Sequence, residues 1–482
     1  MSIKQKFIPI FLNTGATALC SLFILIIASR YLDVASYGVY RQFYLACELV
    51  APILGLGLAQ SIYKFFSMYQ KSDLLLKSMG AVFIACVLFW LFLINPLKPF
   101  LFILISGENL NGLEYVALAY LFVNIALPIL MAFYVDSPLL KYYTIFNFFH
   151  VVFSAFIVSA SAILLQDFHM MIYLRTGLMT VFFVGAFLFC LKVVKLDTVD
   201  NKVSMIALCA FSFPVGIASM VGVLSQHMDK AIVSFFESAE VYAIYANGAI
   251  EIPLISIVTG ALGTASLVKM SKLCNEGKMG DALLSFHHIS LMSSLVLFPA
   301  FVFFFINAEI FMIALFGEEF SHSANPFRVY LCLLPIRIVF YGVALVALGY
   351  SKVIMVRSLV ELLINIILSI LMYYLFGTIG VAIATVVTVY LWTVPFNLYK
   401  ISSGFGVSMK NTLPYKRLGL RLGTVAICGP AAFLPALILN IKLPILVLSV
   451  NAFAYGILVL IAYHATSILR FQTIKLIIGP KK

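Results

Sequence analysis

Charge is scarce in this chain. Of its 482 residues, 10% are Asp, Glu, Lys or Arg and 63% are hydrophobic. That balance excludes an ordinary soluble domain, in which roughly a quarter of the residues are charged. No stretch is long and polar enough to fold as a soluble domain by itself. The eight cysteines stand singly, at 20, 47, 86, 190, 209, 274, 332 and 428, with no CxxC or paired spacing. Neither a disulfide framework nor a zinc site is implied, and they read as small apolar packing residues. No GxxxxGK[ST] loop occurs, which excludes ATP use through that motif. The opening "MSIKQKF" leads to no small-residue cleavage site, so it reads as a short cytoplasmic tail and not a signal peptide.

What is there is apolar, with mean hydropathy +1.10. Runs of about 20 apolar residues, long enough to cross the hydrocarbon as helices, recur along the whole chain. They predict an all-α integral membrane protein of about fourteen transmembrane helices: 8–30, 39–60, 79–105, 113–134, 143–165, 171–191, 204–228, 241–267, 282–306, 325–348, 354–375, 378–399, 418–439 and 443–464. Lys and Arg resist translocation, so loop charge sets orientation. With both termini in the cytoplasm, the inside segments hold 23 of the 31 basic residues. The other eight are Arg30, Arg41, Lys98, Arg175, Lys230, Arg328, Arg337 and Lys442. The net charge of +12 then reads as a topology signal and a contact for anionic lipid heads, not for nucleic acid.

"SRYLDVASYGVYRQFYLACE" (29–48) has a counterpart 205 positions later, in "SFFESAEVYAIYANGAIE" (234–251). The ungapped match pairs Ser29 with Ser234, Tyr37 with Tyr242, Tyr40 with Tyr245, Gly55 with Gly260, Ser61 with Ser266 and Lys64 with Lys269. This predicts two pseudo-repeated six-helix lobes, 1–203 and 204–400, followed by two further helices and a cytoplasmic tail over 401–482. Parallel repeats of this kind suit alternating access, in which one half rocks against the other. Prolines at 52, 128, 253, 299 and 335 fall inside predicted helices and favour bends there.

"ASRYLDVASYGVYRQFYLACELVAPILGLGLAQSIYKF" (28–65) resembles the opening signature of the polysaccharide-exporter branch of the MOP flippase superfamily, the Wzx-type O-antigen flippases. Its marks are Arg-Tyr-Leu, Tyr-Gly-x-Tyr and a helix end holding Gly-Leu-Gly. "HMDKAIVSFFESAEVYAIY" (227–245) is similar to the second-half signature, with Asp229 ahead of an apolar turn. Ala243 departs from the usual glycine, and Phe235–Phe236 stand where the first copy has Arg-Tyr. The resemblance implies a cargo of undecaprenyl-diphosphate-linked oligosaccharide, moved across the inner membrane of a bacterium. It implies no enzyme activity and no resident cofactor; a glycan polymerase and a chain-length regulator are further expected partners, beside membrane lipids.

Polar residues line several predicted helices in steps of three, four and seven: Asn13, Thr14, Thr17 and Ser21; Arg41, Tyr44 and Glu48; Asn147, His150 and Ser154; Ser212, Ser219 and Gln226; Ser358, Glu361, Asn365 and Ser369. Ionisable groups at membrane depth face a cavity or a partner by default. Arginine suits a diphosphate because its fork donates two hydrogen bonds at once. Arg30, Arg41 and Lys230 are therefore the first candidates for the diphosphate, with Asn13, Tyr44, Arg175 and Arg337 as further substrate-binding residues. Glu48, Asp229, Glu251 and Glu361 are candidates for charge balance or for a coupling cation, Na+ or H+.

Plainer readings stand beside these. Arg30 and Arg41 can snorkel to headgroups, Asp229–Lys230 can pair at the interface, and Glu361 with Asn365 can clamp helices. "HH" at 287–288 has no Cys or carboxylate at ligand spacing, and no metal site is expected. Two other functions fit a polytopic chain. A multidrug or cation antiporter of the same superfamily would use a carboxylate-dominated pocket. A membrane-embedded polysaccharide polymerase would need an extended outside segment, and the longest here, around "GEEFSHSANPFR" (317–328), is short.

Overall fold

The computed structural model describes residues 3–65, 69, 71–92, 112–135, 139–194, 202–466 and 468. The second half of the predicted helix 79–105, Lys98, Lys195 and the tail cations Arg470, Lys475, Lys481 and Lys482 lie outside the described residues. Every regular element among those described is helical. That is what hydrocarbon demands of a chain this apolar, since a helix satisfies its own backbone hydrogen bonds. Eleven described segments are long and apolar enough to cross a membrane, which makes this a multi-pass membrane protein. One of them, Ser351–Phe405, has 55 residues, more than twice the length of a single span. It kinks at Gly377 (φ 63°, ψ −149°), between the predicted spans 354–375 and 378–399.

The chain forms two compact units, Met1–Ala243 and Ile244–Lys482. The first holds α1 (Ile3–Tyr31), α2 (Val34–Gly55), α3 (Leu58–Phe65), α4 (Lys71–Phe92), α5 (Glu114–Val135), α6 (Leu140–Leu165), α7 (Phe168–Val194), α8 (Met205–Phe236) and the start of α9 (Ala239–Gly248). The second holds α10 (Pro253–Asn275), α11 (Met279–Ile306), α12 (Ala308–Phe316), α13 (Ala324–Leu331), α14 (Leu334–Arg337), α15 (Tyr341–Ala347), α16 (Ser351–Thr388), α17 (Val394–Phe405), α18 (Tyr415–Ile427), α19 (Leu434–Ile438) and α20 (Pro444–Ala465). In the first unit α2 packs against α5 and α8, and α1 against α6. In the second, α11 packs against α10 and α18. Pro253 and Pro335 open helices instead of bending them, because a first-turn proline gives up no hydrogen bond. Pro52, Pro128 and Pro299 do lie within helices.

Two local devices shape α2, the helix that carries Arg41, Tyr44 and Glu48. At its start, Asp33 accepts the Ser36 amide at 2.9 Å and caps α2. Partial burial raises this carboxyl's pKa, but hydrogen bonds from Ser36 outweigh it and hold the group below its ordinary value. Its stabilising contribution is therefore present above the ordinary carboxylate range and is lost as pH falls through the lowered pKa. At its end, Leu56 (φ 46°) and Gly57 (φ 68°) both turn left-handed and separate α2 from α3. There α8 crosses at Gly216: a Cβ on Gly57 would lie 2.4 Å from the Gly216 nitrogen, and one on Gly216 2.5 Å from the Leu56 carbonyl carbon.

Gly216→Ala is expected to destabilise the protein by about 1–3 kcal/mol through this backbone clash, read as a lower unfolding midpoint in detergent. Gly222→Ala on the same helix, where nothing lies within 4 Å, leaves the midpoint unchanged or raises it. Asp33→Ala, removing the cap, costs about 1 kcal/mol, and its effect on the midpoint shrinks in acid.

Candidate functional site

The run "YGVYRQFYLACE" places Tyr37, Arg41, Tyr44 and Glu48 at helical steps of four, three and four, on one face of α2. Gln42, a residue off that stripe, donates from Nε2 to Ser234 Oγ at 3.0 Å and ties α2 to α8 in the buried interior. Tyr37 and Tyr40 are wholly buried, so their rings form the wall against which the cations lie.

Arg175 reaches this wall from α7. Its Nη1 donates to the Tyr40 hydroxyl at 3.2 Å, and its guanidinium carbon sits 4.4 Å from the centre of the Tyr44 ring. Tyr44 packs edge-on against Tyr40 at 5.0 Å and against Tyr120 of α5 at 5.1 Å. Among the described residues Arg175 forms no ion pair, and the Tyr44 hydroxyl is buried without a hydrogen-bond partner. A desolvated cation–π contact contributes about 2 kcal/mol, against a penalty of several kcal/mol for taking an ion out of water. The tyrosines hold Arg175 in place but leave its charge under-compensated.

Two further charges complete the cluster. Arg41 donates to the Tyr37 hydroxyl at 3.5 Å, with its guanidinium 5.8 Å from that ring. Glu48 Oε2 stands 3.6 Å from Nδ1 of His227 on α8. Two residues further along α8, Asp229 is buried, and Tyr242 of α9 lies in the common field of Arg41, Glu48 and Asp229. The structure thus brings Arg41, Tyr44, Glu48, Arg175 and Asp229 together in the first unit, with Lys230 part-buried beside Asp229. Elsewhere in that unit, Asn147 donates to Asn13 at 2.7 Å and joins α6 to α1. Arg30 is exposed at the C-terminal end of α1.

The second unit places its candidates differently. Arg337 bonds to Glu251 at 2.6 Å with both side chains exposed. Glu361 stands 3.6 Å from Arg357, one turn away on α16, and Arg357 also donates to Ser358 at 2.9 Å. Asn365 donates to Thr385 at 3.2 Å across the Gly377 kink. Arg421, counted from sequence among the cytoplasmic cations, is buried against α11, where it bonds Ser294 at 3.0 Å and the Leu291 carbonyl. A cavity of about 330 Å³, lined by Ser271, Cys274, Asn275, Met279 and residues 346–349, includes none of the candidate residues.

Sequence reasoning missed Tyr40, Tyr120 and His227. Tyr40 lies one position before Arg41 in the quoted motif; Tyr120 and His227 carry no local signal that would tie them to α2.

No family model matches the chain, and no curated protein matches its sequence. Solved structures do match, and they show a fold shared with membrane transporters of the MOP superfamily. The chain is similar to the lipid II flippase MurJ in an inward closed conformation: TM-score 0.68, 15% identity, covering 95% of this chain and 99% of that one. It is also similar to an inward-facing multidrug resistance MATE family transporter of the MOP superfamily, at TM-score 0.57 and 14% identity over 81% of this chain and 96% of that one. A third likeness is to a mutant of the Vibrio cholerae MATE transporter VcmN, at TM-score 0.53 and 13% identity over 83% and 95% of the two chains. Identities this low show the fold alone.

Tyr40→Phe removes the hydroxyl that receives Arg175 and leaves the ring. It is expected to lower stability by about 1.5–3 kcal/mol, the range for a hydrogen bond to a charged group. The same substitution in an Arg175→Met background should cost far less, and comparing unfolding midpoints of the four proteins checks this.

Proposed function

We propose that this protein is a flippase that carries an undecaprenyl-diphosphate-linked oligosaccharide, an O-antigen or related surface-polysaccharide unit, from the cytoplasmic to the periplasmic leaflet of a bacterial inner membrane. Both termini lie in the cytoplasm. The repeats 1–203 and 204–400 alternate access to the two sides, with residues 401–482 appended. The observation that carries the reading is Arg175: a guanidinium within a membrane-spanning helix, seated on Tyr40 and Tyr44 without a carboxylate partner among the described residues. An anionic cargo supplies the missing charge, and Arg41 provides a second fork on the same unit. A cationic drug would meet two guanidinium groups and be repelled, which disfavours the exporter reading. The protein of the first likeness is itself described as a lipid II flippase, and the likeness spans 95% of this chain.

Cargo chemistry assigns the remaining roles. The diphosphate lies against Arg175 and Arg41, with Arg30, Lys230 and Arg337 as further cations on its route. Asn13 and Tyr44 offer polar contacts to sugar. An inside-negative potential would drive the anion outward with about 2.3 kcal/mol per charge for each 100 mV; cation coupling through Glu48, Glu251 or Glu361 is the competing drive.

In proteoliposomes loaded with a fluorescent lipid-linked oligosaccharide, Arg175→Glu combined with Arg41→Glu should slow flipping at least about tenfold, as expected for losing one charge-assisted contact or more. Arg175→Lys, which keeps the charge and loses the fork, should fall in between. Unchanged flipping by a stably folded double variant would sink the assignment.

A further inference from the structure

Resting on the anionic-cargo reading, the cluster in the first unit carries a second consequence. Its named permanent charges nearly balance, Arg41, Arg175 and Lys230 against Glu48 and Asp229, although neither carboxylate pairs with Arg175. His227 is the group whose charge is left to vary, and it stands 3.6 Å from Glu48. The other ionisable groups around the pair are Tyr44 and Cys47 on α2, Tyr120 on α5, Lys230 on α8 and Tyr242 on α9. Charged groups on other elements packed against α2 are engaged locally. Asp73 and Lys77 of α4 bond each other at 2.9 Å, and Glu114 of α5 accepts the Gly112 amide. Arg30 lies exposed at the far end of α1.

A diphosphate joined at both ends to ester groups brings two negative charges and no proton of its own. Placed on Arg175 and Arg41, it would leave these groups one charge negative, with Glu48 in the field of Arg41 repelling it. At reduced dielectric that imbalance is expensive. A proton from water removes it, and the Glu48–His227 pair, 3.6 Å apart, can take one. Glu48 is 47% exposed and His227 22% exposed, so neither is sealed in the packed interior. On protonation, imidazolium and carboxylate neutralise each other, so that Glu48 no longer repels a diphosphate on Arg41.

We propose that Glu48 and His227 form a proton-accepting pair whose protonation is linked to diphosphate binding at Arg41 and Arg175, so that cargo loads together with a proton. By linkage, whatever draws the proton on also tightens the anion, and the reverse. His227 thereby acts as a positioning residue, through Glu48.

Titration calorimetry on the purified full chain in detergent tests this. The probe is N-acetylglucosamine joined through diphosphate to farnesol, in which both phosphates are esterified and exchange no proton near neutrality. Runs at one pH in two buffers of different ionisation heat count protons. The expected result is uptake of close to one proton per probe bound, with affinity tightening by up to about tenfold per pH unit as pH falls. In Glu48→Gln/His227→Gln, binding persists while uptake and pH dependence disappear. Wild-type binding without uptake overturns the inference and leaves the cargo reading standing. Undiminished uptake in the double variant, or a folded double variant that no longer binds, overturns it as well. No binding by the wild type at any pH sinks the cargo reading itself. If the double variant fails to fold, the wild-type proton count decides alone.

Discussion

A guanidinium inside a membrane span must be solvated by something other than water, and the choice of solvating groups determines what the site can do. Had Arg175 been given a carboxylate, the pair would be neutral and structurally useful, as Arg337 with Glu251 is in the second unit. Three tyrosines do a different job. The Tyr44 ring face and the Tyr40 hydroxyl hold the cation at a defined place, with Tyr120 packed against Tyr44, yet they supply no negative charge. Partial compensation leaves the cation without a carboxylate counter-ion among the described residues. The rest of the first unit can be understood as the framework that keeps those tyrosines where they are. Gln42 ties α2 to Ser234, and α5 brings Tyr120 to the ring stack.

The breaks in the helices serve the same end. A straight α2 continuing into α3 would leave no room for α8 to approach so closely. Two consecutive left-handed residues at Leu56 and Gly57 turn the chain aside, and Gly216 lets the backbones meet. That crossing brings α8 alongside α2, so that His227 lies opposite Glu48. Removing a side chain in one place thus positions a charge pair in another, through rigid helix geometry.

Much of this is legible in the sequence, and the limits have a physical cause. Apolar runs and loop cations reveal the spans, because hydrocarbon thickness and translocation act on local composition. The stripe Arg41–Tyr44–Glu48 follows from helical periodicity, again a local rule. The partner of Arg41's neighbour is not legible: Arg175 and Tyr40 are 135 residues apart, and no periodicity relates them. His227 goes unmarked for the same reason, since its significance comes from a residue on another helix. The ends of helices mislead wherever a proline reads as a kink. Pro253 and Pro335 initiate helices, a distinction set by whether the preceding residues are already hydrogen-bonded. Arg421 joins the cytoplasmic cations by its flanking charges, whereas its burial depends on Ser294 of a distant segment.

The two stretches matched in sequence differ in a telling way. At the 205-residue offset Tyr37 and Tyr40 are kept as Tyr242 and Tyr245, but Arg41, Tyr44 and Glu48 become Ala246, Ala249 and Pro253. The stretch corresponding to Arg175, 380–382, reads Gly-Val-Ala. Tyr245 takes Tyr330 as its hydrogen-bond partner at 2.8 Å where Tyr40 takes a guanidinium. The second stretch keeps the tyrosines and has none of the charges of Arg41, Glu48 and Arg175 at the matching positions. A Gly380 Cβ would lie 2.0 Å from the Met372 carbonyl oxygen, so the tight return at Gly377 itself forbids a long side chain there. At the position matched to Arg175 the backbone thus has no room for the long side chain that delivers a cation in the first stretch. The difference in charge between the two stretches at this position therefore follows from where the backbone leaves space for a side chain.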